Sequence, residues 1–364
     1  MKILIDLTAL ADNFSGLERY ALNISKNLIK LSNKDSFILV FKNSIHKEFE
    51  EFNKMLNVEF RILKGDNKLI FNQIILPYNI YKIKADKYLF LAFPSPILFR
   101  RKGIYNTIHD LTAFLYPETM KKSSMLYFKY SIINAIKVSE KIITVSKTSR
   151  NDIIKKFGRV NIEVVSNGIS DVFDKFIFNY NINEEVKKKY ELPKSYIMSL
   201  GTLEPRKNIR LLIEAYISLK KSGKISEKLL LVGRRGWKMD DVLGNMDIQE
   251  IEDDIIFTGF VDDDHLPYIY NNSKVFVFPS IYEGFGIPPI EAMYMETKVL
   301  LSDIDVLKEV GGEKVQYFKS CSMDSLKENL LLLLNDNSYD FTKNKDRARK
   351  FSWSKECEKI YKNF

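Results

Sequence analysis

Two carboxylates eight positions apart, Glu283 and Glu291, bracket the most chemically loaded run of the chain, Ser280-Ile-Tyr-Glu283-Gly284-Phe285-Gly286-Ile-Pro288-Pro289-Ile-Glu291. If Glu283 stands just before a helix and Glu291 about one turn inside it, both acids can reach the hydroxyl-rich parts of one ligand. Gly284 and Gly286 let the backbone approach that ligand, and the unpaired N–H groups of a first helical turn carry the positive end of the helix dipole. A diphosphate suits such a place, so the chemistry points to a phosphorylated sugar. A plain strand-loop-helix turn with an acid capping the helix uses the same residues, and local geometry does not choose between the two.

The elements around the run must hold it in place. Lys274 to Pro279 is β-branched and aromatic and reads as a buried strand, so the acids start at a strand's C-terminal end. Ile287 to Glu296 has helical composition, with both prolines in the first turn where a missing N–H costs little. A second run, Ser199-Leu-Gly201-Thr202-Leu-Glu204-Pro-Arg206-Lys207-Asn208, follows the apolar stretch Tyr196 to Leu200 and precedes the amphipathic stretch Ile209 to Leu219. Its two bases would otherwise cap a solvated turn.

Taken together, the two runs resemble the donor-site segments of the retaining glycosyltransferases of family 4, with Glu283, Gly-Phe-Gly and Glu291 matching that family's Glu-x7-Glu signature. The resemblance implies an α/β protein of the GT-B fold, two facing Rossmann-like domains with a cleft between them. It also implies roles. Arg206 and Lys207 would meet the diphosphate and Glu291 the ribose hydroxyls, while Glu283 would contact the transferred sugar. The backbone at Gly284, Phe285 and Gly286, with Gly201 and Thr202, would complete the donor site.

Other segments match more loosely. Asn13-Phe-Ser15-Gly16-Leu-Glu18-Arg19-Tyr20 joins the first strand to the first helix, where a doubly wound domain contacts ligands. It resembles the family's glycine-rich loop, yet Glu18 stands where a second glycine is common, which weakens the expected backbone contact to phosphate or acceptor at Gly16 and shifts it toward the Arg19 side chain. With one glycine this loop does not support a dinucleotide site. His109-Asp110 follows the strand Ile104 to Ile108 and resembles a family segment that contacts the transferred sugar, with general-base duty not expected of it. His46 and His265 read as satisfied loop histidines. Ser146 and Asn167, in Val145-Ser146-Lys147 and Val165-Ser166-Asn167-Gly168, also resemble donor-lining positions, although a serine before a helix is an excellent N-cap and Asn-Gly a turn. The triplet Asp262-Asp263-Asp264 could hold a divalent cation, but acids at a helix start are favoured by capping and the dipole. No metal is expected, and Arg206, Lys207 and the helix after Gly286 would offset the phosphate charge.

Strand-like and helix-like runs alternate along the chain, which argues for parallel sheets covered by helices. Candidate strands are Lys2 to Leu7, Phe37 to Phe41, Val58 to Ile62, Tyr88 to Leu91, Ile104 to Ile108, Lys141 to Val145 and Ile162 to Val165. A second series starts at Tyr196 and runs through Leu229 to Val232, Ile255 to Phe257, Lys274 to Phe278, Lys298 to Leu301 and Val315 to Tyr317. The polar stretch 170–194 separates the series. We expect an acceptor domain over 1–170, a nucleotide-sugar donor domain over 171–350 and, by resemblance, a terminal helix over 351–364 that returns to the first domain.

With 364 residues and 45% hydrophobic content, the chain can fill two cores. Two cysteines, Cys321 and Cys357, lack metal-ligand spacing and suggest a reducing cytoplasm. The N-terminal strand is interrupted too early for a signal peptide, and no apolar run approaches the roughly 18 residues that span a bilayer. Residues 1–170 hold 27 Lys and Arg against 15 Asp and Glu. Much of that excess is interleaved with aromatics between Lys54 and Lys87 and at Arg100-Arg101-Lys102 and Lys121-Lys122, which suits an anionic membrane surface or simply a solvated lysine-rich face. No zinc, helix-turn-helix or RNA-binding pattern accompanies it, so nucleic acid is not expected as a partner.

The combined expectation is a metal-independent, retaining hexosyltransferase, peripheral on the cytoplasmic face of the membrane, that extends a lipid-linked bacterial surface polysaccharide such as an O-antigen. GDP-mannose is favoured over a UDP-hexose as donor. A noncatalytic nucleotide-sugar-binding protein and a sugar-nucleotide epimerase of the same fold are the alternatives. An oxidoreductase lacks its fuller glycine fingerprint.

Overall fold

The computed structural model describes residues 1–11, 16–234, 236 and 253–364, with only the backbone of Lys68. Asn13, Phe14 and Ser15 of the first loop therefore lie outside the described residues. The chain divides into two compact units, Met1–Gly168 with Ser352–Phe364, and Ile169–Phe351.

In the first unit β1 (Lys2–Asp6), β2 (Ser36–Lys42), β3 (Val58–Leu63), β4 (Lys87–Phe90), β5 (Ile104–Thr107), β6 (Lys141–Thr144) and β7 (Ile162–Val164) form a sheet of order β3-β2-β1-β4-β5-β6-β7. Every pairing is parallel. The second unit repeats the scheme with β8 (Tyr196–Leu200), β9 (Lys228–Val232), β10 (Ile255–Gly259), β11 (Val275–Phe278), β12 (Lys298–Ser302) and β13 (Gln316–Phe318), in the order β10-β9-β8-β11-β12-β13. Its pairings are parallel as well. The sequence dictates this arrangement through continuous apolar runs: β4, β5 and β11 are buried along their whole length, as strands covered by helices on both faces must be.

Both sheets reverse direction of growth at their first strand, between β1 and β4 and between β8 and β11. Ligands of doubly wound sheets bind outside the strand ends at such a switch point. The loops after β8 and β11 are the two runs whose chemistry stood out in the sequence.

The stretch 170–194, read in the sequence as a break, carries the helices Asp171–Asp174 and Tyr180–Lys189. These are built into the second unit. Phe173 meets the Tyr270 ring at 5.9 Å and Asn272 donates to Asn183 at 2.7 Å. The last helix, Trp353–Tyr361, buries Trp353, Cys357 and Ile360 in the first unit, where Tyr20 of the helix Gly16–Leu31 meets the Trp353 ring at 5.8 Å.

Candidate functional site

In the second unit the switch point brings Arg206, Lys207 and Glu283 together. β8 ends at Leu200, and the following loop turns through a short 3-10 helix, Pro205–Lys207, before the helix Ile209–Lys221. β11 ends at Phe278, and its loop leads to the helix Ile287–Tyr294. A backbone bond from Ile281 N to Arg206 O, 3.0 Å, ties one loop to the other. Glu283 then pairs with both bases, Oε2 at 2.8 Å from Arg206 Nη1 and Oε1 at 2.6 Å from Lys207 Nζ.

The cluster is tightly held. Arg206 Nη1 also donates to Tyr282 O at 2.7 Å, and Nη2 pairs with Glu204 Oε1 at 2.7 Å. The Lys207 ammonium lies 4.8 Å from the centre of the Phe278 ring. Burial by itself pushes the Glu283 carboxyl up, but Arg206 and Lys207 outweigh it and bring it down to about 2. Glu283 is therefore an anion throughout the physiological range. It does not cap the following helix, whose N-cap is Gly286, so the capping explanation of this acid gives way to an ion-pair one.

Glu204, Tyr270 and Phe278 were not legible as site residues. Glu204 carried a signal in retrospect, an acid two positions from a base in a loop at a strand end. Tyr270 carried none. It comes from the helix Leu266–Asn272, and its hydroxyl donates to Glu291 Oε2 at 3.0 Å, fixing that buried carboxylate inside the helix Ile287–Tyr294.

The backbone positions behave as their types suggest. Gly286 has φ +108°, a conformation that disfavours a side chain, and a Cβ there would come within 3.1 Å of Leu307 Cδ2. Phe285 buries its ring against Phe351, with centroids 5.4 Å apart, which leaves its backbone rather than its side chain for a ligand. Gly201 has φ +156° and lies beside the Lys207 side chain, with Thr202 exposed next to it. Ser199 Oγ, Asn208 Nδ2 and Ser280 Oγ, in or flanking the same two loops, are buried without a hydrogen-bond partner among the described residues. Buried polar atoms of this kind ask for a ligand or water.

The remaining candidates lie in the first unit. His109 follows β5, and its Nε2 is 2.9 Å from Leu91 O. A carbonyl only accepts, so Nε2 carries the hydrogen and Nδ1 keeps its lone pair. Burial lowers the His109 pKa, more than the Leu91 carbonyl and Asp110 raise it, and the ring is neutral near pH 7. It stands edge-on to Tyr20 at 5.0 Å. Ser149 Oγ donates to His109 O at 3.1 Å, and Ser146 Oγ accepts from Ser149 N at 2.9 Å, so Ser146 is a buried N-cap of the helix Lys147–Phe157. Asn167 is buried beside Gly168, whose neighbours are the backbone and ring of Trp353. Close approach to the terminal helix, rather than a turn with positive φ, is what requires that glycine. Gly16 opens the helix Gly16–Leu31 at an exposed position, with Glu18 and Arg19 in its first turn.

Asp262 was expected to cap. It occupies the N-cap position of Asp263–His265 but makes no side-chain cap bond. Its carboxylate pairs with Lys189 at 2.7 Å instead, a contact available because the helix Tyr180–Lys189 packs alongside.

Comparison with known proteins gives the architecture a context. Residues 182–351 match the family model described as glycosyl transferases group 1. The chain is 33% identical over 259 residues to O-antigen chain mannosyltransferase B of Escherichia coli, a match covering 70% of this chain and 68% of that protein. It is 26% identical over 319 residues to O-antigen chain mannosyltransferase RfbU of Salmonella typhimurium, covering 85% and 84%. Among solved structures, Anabaena Alr3699/HepE in complex with UDP and glucose aligns with a TM-score of 0.75 at 16% identity, over 100% of this chain and 99% of that one. WaaG, a glycosyltransferase involved in lipopolysaccharide biosynthesis, aligns with a TM-score of 0.69 at 16% identity, over 98% of each chain. The chain thus belongs to the group 1 glycosyltransferases and is a glycosyltransferase built from two Rossmann-like domains of the GT-B type.

Proposed function

We propose that this enzyme transfers a mannosyl residue from GDP-mannose, with retention of configuration, to a hydroxyl of a lipid-linked surface polysaccharide. The observation that carries the donor assignment is the Arg206–Glu283–Lys207 cluster at the switch point of the second unit. Glu283 pre-positions both bases, and the Lys207 ammonium, with three N–H donors of which one goes to Glu283, has donors to offer a diphosphate. The first-turn N–H groups after Gly286 add to them. Glu291, steadied by Tyr270, accepts from ribose hydroxyls. Mannose is supported by the names of the two relatives given above.

In the reaction, the bond from the sugar's anomeric carbon to the β-phosphate oxygen breaks, and its electron pair stays with the phosphate. The acceptor hydroxyl adds to the same face of the oxocarbenium-like centre, and its proton passes to the departing phosphate oxygen. Arg206 and Lys207 stabilise the charge that develops there. Neutral His109, with Nδ1 as an acceptor, is a sugar-hydroxyl contact.

A membrane-surface location is supported by the first unit. The helical segment 68–81 exposes Ile70, Ile74 and Tyr78 at four-residue spacing, the last two at 62% and 63%, and Leu98 is 71% exposed. Lys82 caps the Tyr78 ring at 3.8 Å and Arg101 the Tyr81 ring at 5.0 Å, so cations flank the apolar stripe. No described helix is long and apolar enough to cross a membrane.

The deciding experiment incubates the chain with GDP-mannose or UDP-hexoses and a lipid-linked glycan, and follows product mass, anomeric configuration and nucleoside diphosphate release. The expected result is one added hexose in the α configuration from GDP-mannose, with release dependent on acceptor. Lys207→Ala should lower kcat/KM by about 100-fold or more. Donor conversion without acceptor would indicate an epimerase. Donor binding without any turnover would indicate a binding protein. Wild-type turnover in Lys207→Ala would refute the site.

A further inference from the structure

The outermost strand of a sheet presents backbone groups that another strand can pair with. The two sheets of this chain end on β3, β7, β10 and β13. β7 and β13 have three residues each, and the register of β10 slips between Phe257 and Gly259. β3 is the longest of these edges, six residues in unbroken register with β2. The chain leaves the first unit after β7, at the opposite edge of that sheet.

Which groups β3 leaves open follows from its bonds to β2. Phe37 N donates to Asn57 O and Asn43 N to Leu63 O, both at 2.8 Å. Along a parallel strand the residues turn their N–H and C=O alternately toward and away from one neighbour, so Glu59, Arg61 and Leu63 address β2, and Val58, Phe60 and Ile62 point outward. Val58 N is taken by Met55 O at 3.2 Å. The Val58 C=O and both backbone groups of Phe60 and Ile62 have no partner among the described residues.

The strand is complementary to itself. Val58-Glu59-Phe60-Arg61-Ile62 reads apolar, acid, aromatic, base, apolar about Phe60. When two such strands run antiparallel and are centred on Phe60, the two Phe60 residues exchange both backbone bonds, and Ile62 N of each donates to Val58 O of the other. These are the groups that point outward. Glu59 of each copy then stands opposite Arg61 of the other, at the positions where side chains come closest. Centring on residue 59 or 61 instead would set Glu against Glu or Arg against Arg, so charge selects the register. The side chains are available for it: Glu59 and Arg61 pair with each other within the strand yet are 44% and 58% exposed, and Ile62 is 46% exposed.

We propose that β3 is a self-association edge, which pairs antiparallel with β3 of a second copy of this chain about a two-fold axis at Phe60. The axis crosses the sheet, so the helical segment 68–81, which packs on the Leu63 side through Phe71, Leu76 and Ile80, lies on the same side in both copies. Two apolar stripes then address one surface. No donor-site residue takes part.

Sedimentation equilibrium of the full chain from about 1 to 100 μM is the test. A reversible dimer is expected. Arg61→Glu and Glu59→Arg each place two like-charge pairs across the axis and should raise the dissociation constant about tenfold or more, with the far-ultraviolet dichroism unchanged. The double swap, Glu59→Arg with Arg61→Glu, restores opposite charges and should recover the wild-type constant. An equimolar mixture of the two single variants should form a heterodimer as tight as the wild-type dimer, which no effect within one strand can produce. A chain that stays monomeric over the whole range would overturn the proposal. So would a dimer indifferent to both single changes, or single variants that mixing does not rescue.

Discussion

Glu283 acts first on its neighbours. It joins two bases supplied by another loop, 77 and 76 positions earlier in the sequence, and together they hold its carboxyl well below the ordinary range. The three residue types were legible in the sequence, but their mutual pairing was not, because no local pattern spans the separation. Only the adjacency of β8 and β11 closes it. The pairing also changes how variants should be read. Glu283→Ala leaves two mostly buried cations without their shared partner, so a loss of stability of about 3–5 kcal/mol is expected beside any loss of activity. Because the folded pKa is about 2 against an ordinary 4.5, the ionised carboxylate contributes about 3 kcal/mol at neutral pH. A group with a lowered folded pKa contributes fully above its unfolded value and loses that contribution as pH falls through the folded one. Denaturant unfolding of wild type and Glu283→Gln should therefore differ most above about pH 4.5, and the gap should close as pH falls toward 2. A gap independent of pH would contradict the ion-pair account.

At the scale of elements, the helix Ile287–Tyr294 was legible from its flanking glycines and prolines, since each residue type has one conformational reason to be there. Gly286 supplies the positive φ that aims the helix start. Gly286→Ala would place a methyl against Leu307 in a backbone region that costs about 1–2 kcal/mol. Its Tm should fall by a few degrees and its KM for donor should rise more than kcat falls; an unchanged KM would separate the helix start from donor binding. Gly168 misled as a turn glycine because the sequence does not reveal that a helix more than 180 positions later packs onto it. The segment 68–81 was harder still. Its cations and aromatics were visible, but its helical state and the exposure of Ile70, Ile74 and Tyr78 depend on which face the first unit covers. Wild type should co-sediment with phosphatidylglycerol-containing vesicles, more weakly at high salt, and Ile70→Glu with Ile74→Glu should abolish it while the protein remains folded. Equal sedimentation with purely zwitterionic vesicles would contradict a charge-assisted surface.

For the whole molecule, the two strand series and the two cores followed from apolar runs, because parallel strands buried on both faces leave so plain a trace. The membership of residues 352–364 in the first unit left no such trace in the periodicity of their helix. That helix is a structural part of the first unit. Trp353 contacts Tyr20, Glu356 Oε2 accepts from Ser166 N at 2.8 Å, and the Tyr361 hydroxyl donates to Asp35 at 2.6 Å. Removing residues 352–364 should lower the thermal transition of the first unit and increase proteolysis near Tyr20, with the second unit's response to GDP or UDP preserved. An unaltered first transition would show the helix to be dispensable. The same threading sets an order on biosynthesis. The ribosome synthesises every strand of the second unit before it makes Trp353, so the unit that begins first is completed last. Until then, the side of its opening helix that Trp353 and Cys357 cover, at Tyr20 and Ile24, waits open to chaperones.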